Sequence, residues 1–294
     1  MAPILEVKKL RKEYGKLVAV DDISFQIQTG ICFGLLGPNG AGKTTTIEMI
    51  EGITTPTSGD FYYKGKPRHK DFSLEAGIQF QSTSIMDKLK SREILELFHG
   101  LYPVTTPLDE LIELCDLGPI LDQEAKKLSG GQKQRLMFGL SLINDPQIIF
   151  LDEPTTGLDP QSRRHLWKLI QRIKSRGKTV LLTTHYMEEA EILCDYLIII
   201  DHGRIISEGS PKALLKEHFG YYYVCIDKQD VHSDMKDFGE AVEEHADHYE
   251  IQSKSVEDTL NTLMKKGVML NSLRVRQPTL EDLFLKLTGH SLRD

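Results

Sequence analysis

Long hydrophobic runs are missing from this 294-residue sequence. No window approaches the roughly 20 apolar residues of a membrane-spanning helix, and charges stand near the N-terminus where a secretory signal would be apolar. These absences predict a chain that by itself stays in the cytoplasm. The four cysteines, Cys32, Cys115, Cys194 and Cys225, are far apart and form no Cys-x-x-Cys pair. We therefore expect buried thiols rather than a disulfide framework or a zinc site.

An excess of positive charge is also missing. Lys and Arg number 36 against 43 Asp and Glu, which gives a formal net charge of −7. Nucleic-acid-binding proteins normally carry basic surfaces that neutralise phosphates, so the charge balance argues against a nucleic-acid partner. With 40% hydrophobic and 27% charged residues, the chain is typical of a globular protein with one large domain and a smaller companion.

The first part of the chain alternates between apolar and polar residues, as paired strands do. Residues 4–10, 17–20 and 23–27 predict antiparallel β-structure. A continuous apolar run then begins at Ile31, followed by a glycine-rich loop and by residues 45–51 at helical spacing. This order predicts strand, loop and helix.

Three later runs are short and almost entirely apolar, at residues 147–151, 179–183 and 196–200. Such runs are typical of strands buried on both faces of a sheet. Helical segments at residues 161–175 and 187–194 lie between them, which predicts a parallel sheet with crossover helices.

A helical insert at about residues 86–142 interrupts this α/β core, and the sequence changes again after Pro211. Strands are predicted at residues 221–226, 249–252 and 268–276. Capping patterns at Ser255 and Thr279 each predict a helix start. We therefore predict a main domain at residues 1–214 and an α+β extension at residues 215–294.

Residues 37–44 read Gly-Pro-Asn-Gly-Ala-Gly-Lys-Thr, between the predicted strand and helix. In this pattern the glycines turn backbone N–H groups toward phosphate oxygens. Lys43 reaches the β and γ phosphates, and the Thr44 hydroxyl binds magnesium. The segment predicts a phosphate-binding loop for a nucleoside triphosphate with Mg²⁺.

The apolar run at residues 147–151 ends in Asp152 and Glu153. Ligands of open α/β sheets bind at the carboxyl ends of the strands. Asp152 is therefore predicted to hold magnesium, and Glu153 to orient and deprotonate an attacking water.

A second anion-binding pattern is Leu-Ser-Gly-Gly-Gln at residues 128–132, before a predicted helix at residues 132–142. Free N–H groups and the positive end of a helix dipole favour anions there. Capping by Ser129 alone would explain the serine but not both glycines.

Together these motifs resemble the nucleotide-binding subunits of ABC transporters over about residues 4–212. The resemblance implies a P-loop NTPase core with an antiparallel β subdomain and a helical insert. It also implies that Tyr14 stacks on adenine, that Gln81 senses magnesium and water, that Asp159 contacts the partner subunit, and that His185 contacts the γ phosphate. Gln79, two residues before Gln81, is an alternative, although the spacing favours Gln81.

The resemblance therefore implies ATP and Mg²⁺ as cofactors. Catalytic residues would be Lys43, Gln81, Glu153 and His185, and metal ligands Thr44, Gln81 and Asp152. The residues expected to contact nucleotide are Tyr14, Gly37, Asn39, Gly40, Ala41, Gly42, Lys43, Thr44, Thr45, Ser129, Gly130, Gly131, Gln132 and Asp159.

Two such subunits pair head to tail in this family, and a separate membrane permease completes the transporter. The expected location is the inner face of the cell membrane. The C-terminal part resembles the extension of ABC-2 type exporter ATPases, which implies ATP-driven export. An importer ATPase, a soluble non-transport ABC ATPase and a nucleotide-binding regulator without turnover are the alternatives.

Overall fold

The computed structural model describes residues 3–67, 69, 72–79, 85–231, 235 and 241–289. The chain divides into two compact units, with the boundary between Pro211 and Lys212. This boundary falls slightly before the predicted one after residue 214. The described helices include none long and apolar enough to cross a membrane.

The described residues of the first unit form ten strands in two sheets. They are β1 (Leu5–Tyr14), β2 (Leu17–Ile27), β3 (Cys32–Leu36), β4 (Ser58–Tyr63), β5 (Lys66–Pro67), β6 (Ala76–Gln79), β7 (Ile148–Asp152), β8 (Thr179–Thr184), β9 (Tyr196–Asp201) and β10 (Arg204–Gly209). The antiparallel sheet has the order β2-β1-β4-β5, and the six-stranded sheet the order β10-β9-β3-β8-β7-β6.

Helices surround and follow these sheets. They are α1 (Lys43–Glu51), α2 (Phe72–Glu75), α3 (Ser91–His99), α4 (Leu108–Leu114), α5 (Gly130–Leu140), α6 (Pro160–Ser175) and α7 (Met187–Leu193). The next helix, α8 (Pro211–His218), begins at the boundary and belongs to the second unit. Short 3₁₀ turns occur at Gly118–Ile120 and Ala125–Lys127.

The six-stranded sheet is parallel from β9 to β6, as the apolar runs predict, and β10 is an antiparallel edge strand. Every residue of β3, β7 and β8 is buried, because helices and the antiparallel sheet cover its faces. A core that includes Leu10, Phe25, Phe33 and Phe150 packs between the two sheets. The carboxyl ends of the parallel strands therefore lie together at one edge of the six-stranded sheet. The candidate functional site lies at this edge.

Two features of the antiparallel sheet differ from the prediction. Residues 17–20 and 23–27 form one strand, β2, and the additional strands β4 and β5 pair beside β1. The polar step within β2 is accommodated because the carboxylate of Asp21 pairs with Arg11 and Arg204. The side chain of Asp21 is thus neutralised. The pairing with β1 shifts register at Asp21 and Asp22, and the N–H of Asp21 donates instead to the carbonyl oxygen of Gly203 at 2.8 Å.

The helical insert contains α3, α4 and α5, with 3₁₀ turns between the last two. Helix α5 begins at Gly130, before the predicted start at residue 132, because Ser129 is its N-cap. The buried amide of Asn144, after α5, donates to the carbonyls of Leu74 and Ala76 at 2.9 Å each. These bonds tie the insert to β6.

The second unit is an α+β structure. Its elements are β11 (Tyr222–Asp227), a 3₁₀ turn (Lys228–Asp230), β12 (Ala241–Glu244), β13 (His248–Ser253), α9 (Val256–Lys265), β14 (Arg274–Arg276) and α10 (Leu280–Thr288). The strands form an antiparallel sheet in the order β12-β13-β11-β14. Ser255 and Thr279 cap α9 and α10, as their sequence patterns predict.

The predicted strand at residues 268–276 is wrong over most of its length, because only Arg274–Arg276 pairs in the sheet. The N–H groups of Met269 and Ser272 instead donate to the backbone oxygen and a carboxylate oxygen of Asp230. Because these two N–H groups already bond to Asp230, they are not available to pair with a neighbouring strand.

Candidate functional site

The phosphate-binding loop runs from the end of β3 into α1, as predicted. Two of its glycines are required by close backbone approaches. A Cβ at Gly37 would lie 2.2 Å from the carbonyl oxygen of Ile200, and one at Gly42, whose φ is +102°, would lie 2.4 Å from that of Ala19. The loop therefore keeps its shape only with glycine at these positions.

Lys43 lies inside this loop and is 6% exposed. Its Nζ donates to the carbonyl oxygens of Gly37 and Pro38 at 2.8 and 2.9 Å. Burial lowers the pKa of Lys43, and the carboxylates of Glu153 and Asp152 oppose that shift. A buried ammonium group surrounded by carbonyls is a strong attractor for phosphate oxygens.

The other predicted residues of this loop and helix lie at its surface or just inside it. Asn39, Gly40 and Thr44 are exposed, Thr45 is half-buried and Ala41 is buried. Tyr14, at the end of β1, is 49% exposed, with Lys12 Nζ 4.9 Å from the centre of its ring. These exposed groups are accessible to a nucleotide.

Asp152 is the last residue of β7 and Glu153 follows it. Both are positioned by Thr183 of the neighbouring strand β8. The Thr183 hydroxyl donates to Oδ1 of Asp152 and accepts from the Glu153 N–H at 2.9 Å. Thr183 itself is fully buried. Burial raises the pKa of Asp152, which this hydrogen bond opposes.

Glu153 has a backbone φ of +46°, a conformation that is strained for a residue with a side chain. Its Oε2 lies 3.4 Å from Nδ1 of His185 and accepts from the Thr156 hydroxyl at 3.2 Å. The hydrogen bond with His185 lowers the pKa of Glu153. Glu153 is therefore an ionised carboxylate at neutral pH, as a general base must be.

His185 follows β8, and its ring is 22% exposed. The ring contacts that of Tyr186 at a centroid distance of 4.2 Å, and the guanidinium of Arg163 lies 4.2 Å from the centre of the Tyr186 ring. The structure thus brings together Lys43, Asp152, Glu153 and His185.

The segment at residues 128–132 lies at the start of α5. Ser129 and Gln132 form a capping box, with Gln132 N donating to Ser129 Oγ at 3.3 Å and Ser129 N donating to Gln132 Oε1 at 2.8 Å. A Cβ at Gly131 would lie 2.4 Å from Ser162 Oγ, whereas one at Gly130 would meet only Leu158, at 3.9 Å. Close packing against Ser162 therefore explains why position 131 is a glycine. The surface at Gly130 is left accessible.

Asp159 is the N-cap of α6. Its Oδ1 accepts from the N–H groups of Gln161 and Ser162 at 3.0 and 2.9 Å, and its Oδ2 accepts from the Ser162 hydroxyl at 2.6 Å. These bonds within its own chain explain the carboxylate of Asp159. Its contact with a partner subunit therefore stays a prediction.

The predicted glutamine at position 81 lies outside the described residues. The alternative, Gln79, is on β6 and 1% exposed, and its side-chain amide has no hydrogen-bond partner among the described residues. Gln79 therefore lies within the protein rather than at an accessible edge.

Comparisons with known proteins agree with this geometry. A family model described as ABC transporter matches residues 20–156. The chain is 38% identical over 305 residues to the Nod factor export ATP-binding protein I of Cupriavidus metallidurans, covering 100% of both chains. It is 38% identical over 303 residues to the protein of the same name from Rhizobium meliloti, covering 99% of this chain and 89% of the relative.

Among solved structures, cbiO1 from Clostridium perfringens, described as part of the ABC transporter complex cbiONQ, matches with a TM-score of 0.67 and 27% identity. The match covers 74% of this chain and 92% of that one. The chain belongs to the family of ABC transporter ATP-binding proteins. It is an ATPase subunit of a transporter, it binds ATP, and the predicted fold class is confirmed. The names of the relatives support export over import.

Thr183 was not predicted from the sequence, and its role is testable with Thr183→Val, which removes the hydroxyl and keeps the shape. We expect kcat for ATP hydrolysis to fall about 10-fold or more, because the Asp152 carboxylate and the backbone N–H of Glu153 both lose a positioning bond. The free energy of unfolding should fall by about 1–3 kcal/mol.

Thr179→Val is the matched control. Thr179 is a buried threonine at the other end of β8, and its hydroxyl accepts from Gly30 N at 2.9 Å. It should lose similar stability while keeping its kcat. Equal kcat values in the two variants would contradict the positioning role of Thr183.

Glu51, at the end of α1, is a second residue that sequence reasoning missed. It lies one helical turn after Ile47, on the buried face, and is 8% exposed. Burial, with the nearby charge of Asp152, raises its pKa from 4.5 to about 8. Its spacing of one helical turn from Ile47 is the sequence signal that its side chain faces inward.

The raised pKa predicts a pH-dependent stability. Between pH 4.5 and about 8 the folded chain binds a proton at Glu51 that the unfolded chain lacks. The free energy of unfolding should therefore fall as pH rises through this range, by at most about 1.4 kcal/mol per pH unit. Glu51→Gln should remove this slope and be more stable than the wild type at pH 8. The exposed Glu257→Gln is the control, and denaturant titrations from pH 4.5 to 8 measure the difference.

Proposed function

We propose that this chain hydrolyses Mg²⁺-ATP in a head-to-tail dimer and thereby drives export through a separate membrane permease. The observation that carries the proposal is the position of Glu153. Its carboxylate lies beside Asp152, is kept ionised by His185, and shares the site with the buried ammonium of Lys43.

The residues present fit a magnesium ion. Mg²⁺ prefers hard oxygen ligands and usually binds to one or two protein groups together with phosphate oxygens. The exposed Thr44 hydroxyl at the start of α1 and the Asp152 carboxylate, oriented by Thr183, would hold it. Gln81 is an additional proposed ligand. When bound, the ion would supply positive charge that neutralises the phosphates of ATP.

The side chains of the chain then have separate tasks. Lys43 binds the β and γ phosphates and stabilises the charge that spreads over the γ phosphate during transfer. Glu153 orients the attacking water and accepts its proton. His185, hydrogen-bonded to Glu153, contacts the γ phosphate and holds the carboxylate in place. The products are ADP and phosphate.

The start of α5 supports the dimer. Its N–H groups and dipole favour an anion, and Gly130 leaves the approach open. In the described part of the chain, no hydrogen bond joins residues 129–132 to the phosphate-binding loop at residues 37–45. We propose that Ser129, Gly130, Gly131 and Gln132 bind the nucleotide held by the partner's loop. Tyr14 would stack on adenine, and Asp159 would lie at the dimer interface.

A mostly apolar cavity supports the permease partner. It encloses about 260 Å³ between β6, α3 and α5. Its apolar lining includes Ile78, Ile85, Met86, Phe98, Met137 and Leu140. We propose that a helix of the permease docks in this cavity and holds the chain at the inner face of the membrane.

Met86→Glu tests this docking. Met86 is 43% exposed, so the charge should leave the fold intact but disfavour an apolar helix in the cavity. We expect the variant to lose membrane association and copurification with the permease while its ATPase activity in isolation stays the same. Met264→Glu, at a 62% exposed methionine of α9, is the control. Equal copurification of both variants would contradict the docking site.

The direction of transport can be tested in cells. The relatives are named for export of Nod factor, and we propose that export applies to this chain. In cells whose only copy is Glu153→Gln, one or more compounds should disappear from the medium and accumulate inside. Loss of uptake from the medium would instead identify an importer.

A further inference from the structure

One face of the sheet in the second unit carries side chains of the kind that bind transition metals. Residues of a strand alternate between its two faces. Val224, Val242 and Ile251 point toward the hydrophobic core. The neighbouring residues Cys225, Glu243 and Glu250 therefore lie on the opposite face, on three adjacent strands.

The register places these groups side by side. Glu250 of β13 is paired with Cys225 of β11 on one side and with Glu243 of β12 on the other. At the turn between β12 and β13, His245 N donates to the carbonyl oxygen of His248 at 2.9 Å. The rings of these two histidines are stacked, with centroids 4.6 Å apart. We call Cys225, Glu243, His245, His248 and Glu250 the Cys-His-Glu face.

The distances between possible ligand atoms are short. In Cys225, His248 and Glu250 these atoms lie within 4.8 Å of one another, and the same holds for Glu243, His245 and Glu250. Glu250 belongs to both groups, and the thiol of Cys225 is 3.4 Å from its Oε2. Tetrahedral zinc needs ligand atoms about 3.5 Å apart. Small side-chain rotations therefore suffice for Cys225, His248 and Glu250. The ring of His245 must rotate out of its stack on His248 to join the same ion.

Both histidines have a nitrogen suited to a metal. Nε2 of His245 is buried and has no hydrogen-bond partner among the described residues. Nδ1 of His248 lies 2.7 Å from Oδ1 of Asp247. Such a carboxylate orients the ring and leaves Nε2 as the ligand, which is the usual arrangement of metal-bound histidines.

Arg276 is the competing partner within the face. Its guanidinium binds both oxygens of Glu250, with its shortest contact at 2.9 Å, and also binds Asp282 at 2.7 Å. An ordinary ion pair thus explains why Glu250 is buried. It does not explain the orphaned nitrogen of His245 or the buried thiol of Cys225. Each carboxylate oxygen has two acceptor sites. Among the described residues, Oε2 of Glu250 accepts from Nε and Nη2 of Arg276, whereas Oε1 accepts only from Nη2 and keeps one site for a cation.

We propose that the Cys-His-Glu face binds one Zn²⁺ or a similar divalent transition-metal ion, with Cys225, His245, His248 and Glu250 as its ligands. Sulfur and imidazole ligands favour such ions over Mg²⁺ and Ca²⁺, which prefer an all-oxygen shell. Glu243 lies beside the site and adds negative charge. The site belongs to the second unit and is separate from the residues that bind ATP.

The test is a zinc titration of the purified full-length protein without nucleotide, in competition with a chromogenic chelator. We expect one tightly bound equivalent. His245→Ala and His248→Ala, at partly exposed positions, should each weaken binding by at least about 10-fold. His99→Ala, at the end of α3, is the matched control and should bind as the wild type does. Equal affinity in the three variants, or no tightly bound zinc in the wild type, would overturn the proposal.

Cobalt provides a second measurement. Co²⁺ bound to the wild type should show a thiolate-to-metal absorption band that Cys225→Ser lacks. Zinc should also raise the unfolding temperature of the wild type more than that of His248→Ala, because binding to the folded state alone stabilises it. ATP turnover of the same samples is measured separately. If the protein binds zinc but does not hydrolyse ATP, only the proposed function is contradicted. If it hydrolyses ATP but does not bind zinc, only the metal site is contradicted.

Discussion

Glu153→Gln is expected to lower ATP turnover by at least about 100-fold and to leave ATP binding intact. The amide keeps the size of the side chain but cannot accept a proton from water. Oε2 of Glu153 is positioned by Thr156 and His185, and the amide can still bond to Thr156. The fold should therefore be preserved. Because ATP binds but is not hydrolysed, the variant should accumulate as an ATP-bound dimer.

Single-turnover hydrolysis, nucleotide binding and size-exclusion chromatography with ATP measure these three effects. Glu188→Gln, the same chemical change at an exposed position in the first turn of α7, is the control and should hydrolyse ATP normally. Wild-type turnover by Glu153→Gln would show that another group acts as the base.

Ser129→Arg is expected to abolish most ATP hydrolysis while the chain still binds ATP. Ser129 is exposed at the start of α5, so a long side chain is tolerated in the monomer. In a head-to-tail dimer that side chain would fill the space in which the partner's nucleotide lies. Ser129→Ala is the stability control. It removes the N-cap at a cost of about 1 kcal/mol without adding bulk.

Mixing two inactive variants tests whether the site is shared between chains. A Ser129→Arg chain keeps a normal phosphate-binding loop, and a Lys43→Ala chain keeps a normal α5 start. At equal amounts, half of the dimers should be mixed, each with one intact site of two, so about a quarter of the wild-type sites return. Recovered hydrolysis supports the dimer. Full activity of Ser129→Arg alone would contradict it.

Much of the main fold was predictable because its signals are local. Runs such as residues 147–151 are apolar on both faces only where a sheet is covered on both sides. The insert and the extension were recognised by their changed periodicity. The errors arose where distant partners decided the outcome. Asp21 allowed β2 to continue because Arg11 and Arg204 neutralise it, and Asp230 drew the backbone of residues 269–272 away from the sheet.

The sequence by itself determined the phosphate-binding loop, the pair Asp152 and Glu153, and the segment at residues 128–132. Each is predicted to bind through neighbouring residues of one turn, so its chemistry is present in a short stretch of sequence. Only the tertiary structure decided that Thr183 binds the Asp152 carboxylate and the Glu153 N–H, that burial raises the pKa of Glu51, and that Cys225 lies beside Glu250. These pairs are far apart along the chain, and the packing of helices and the register of strands bring them together.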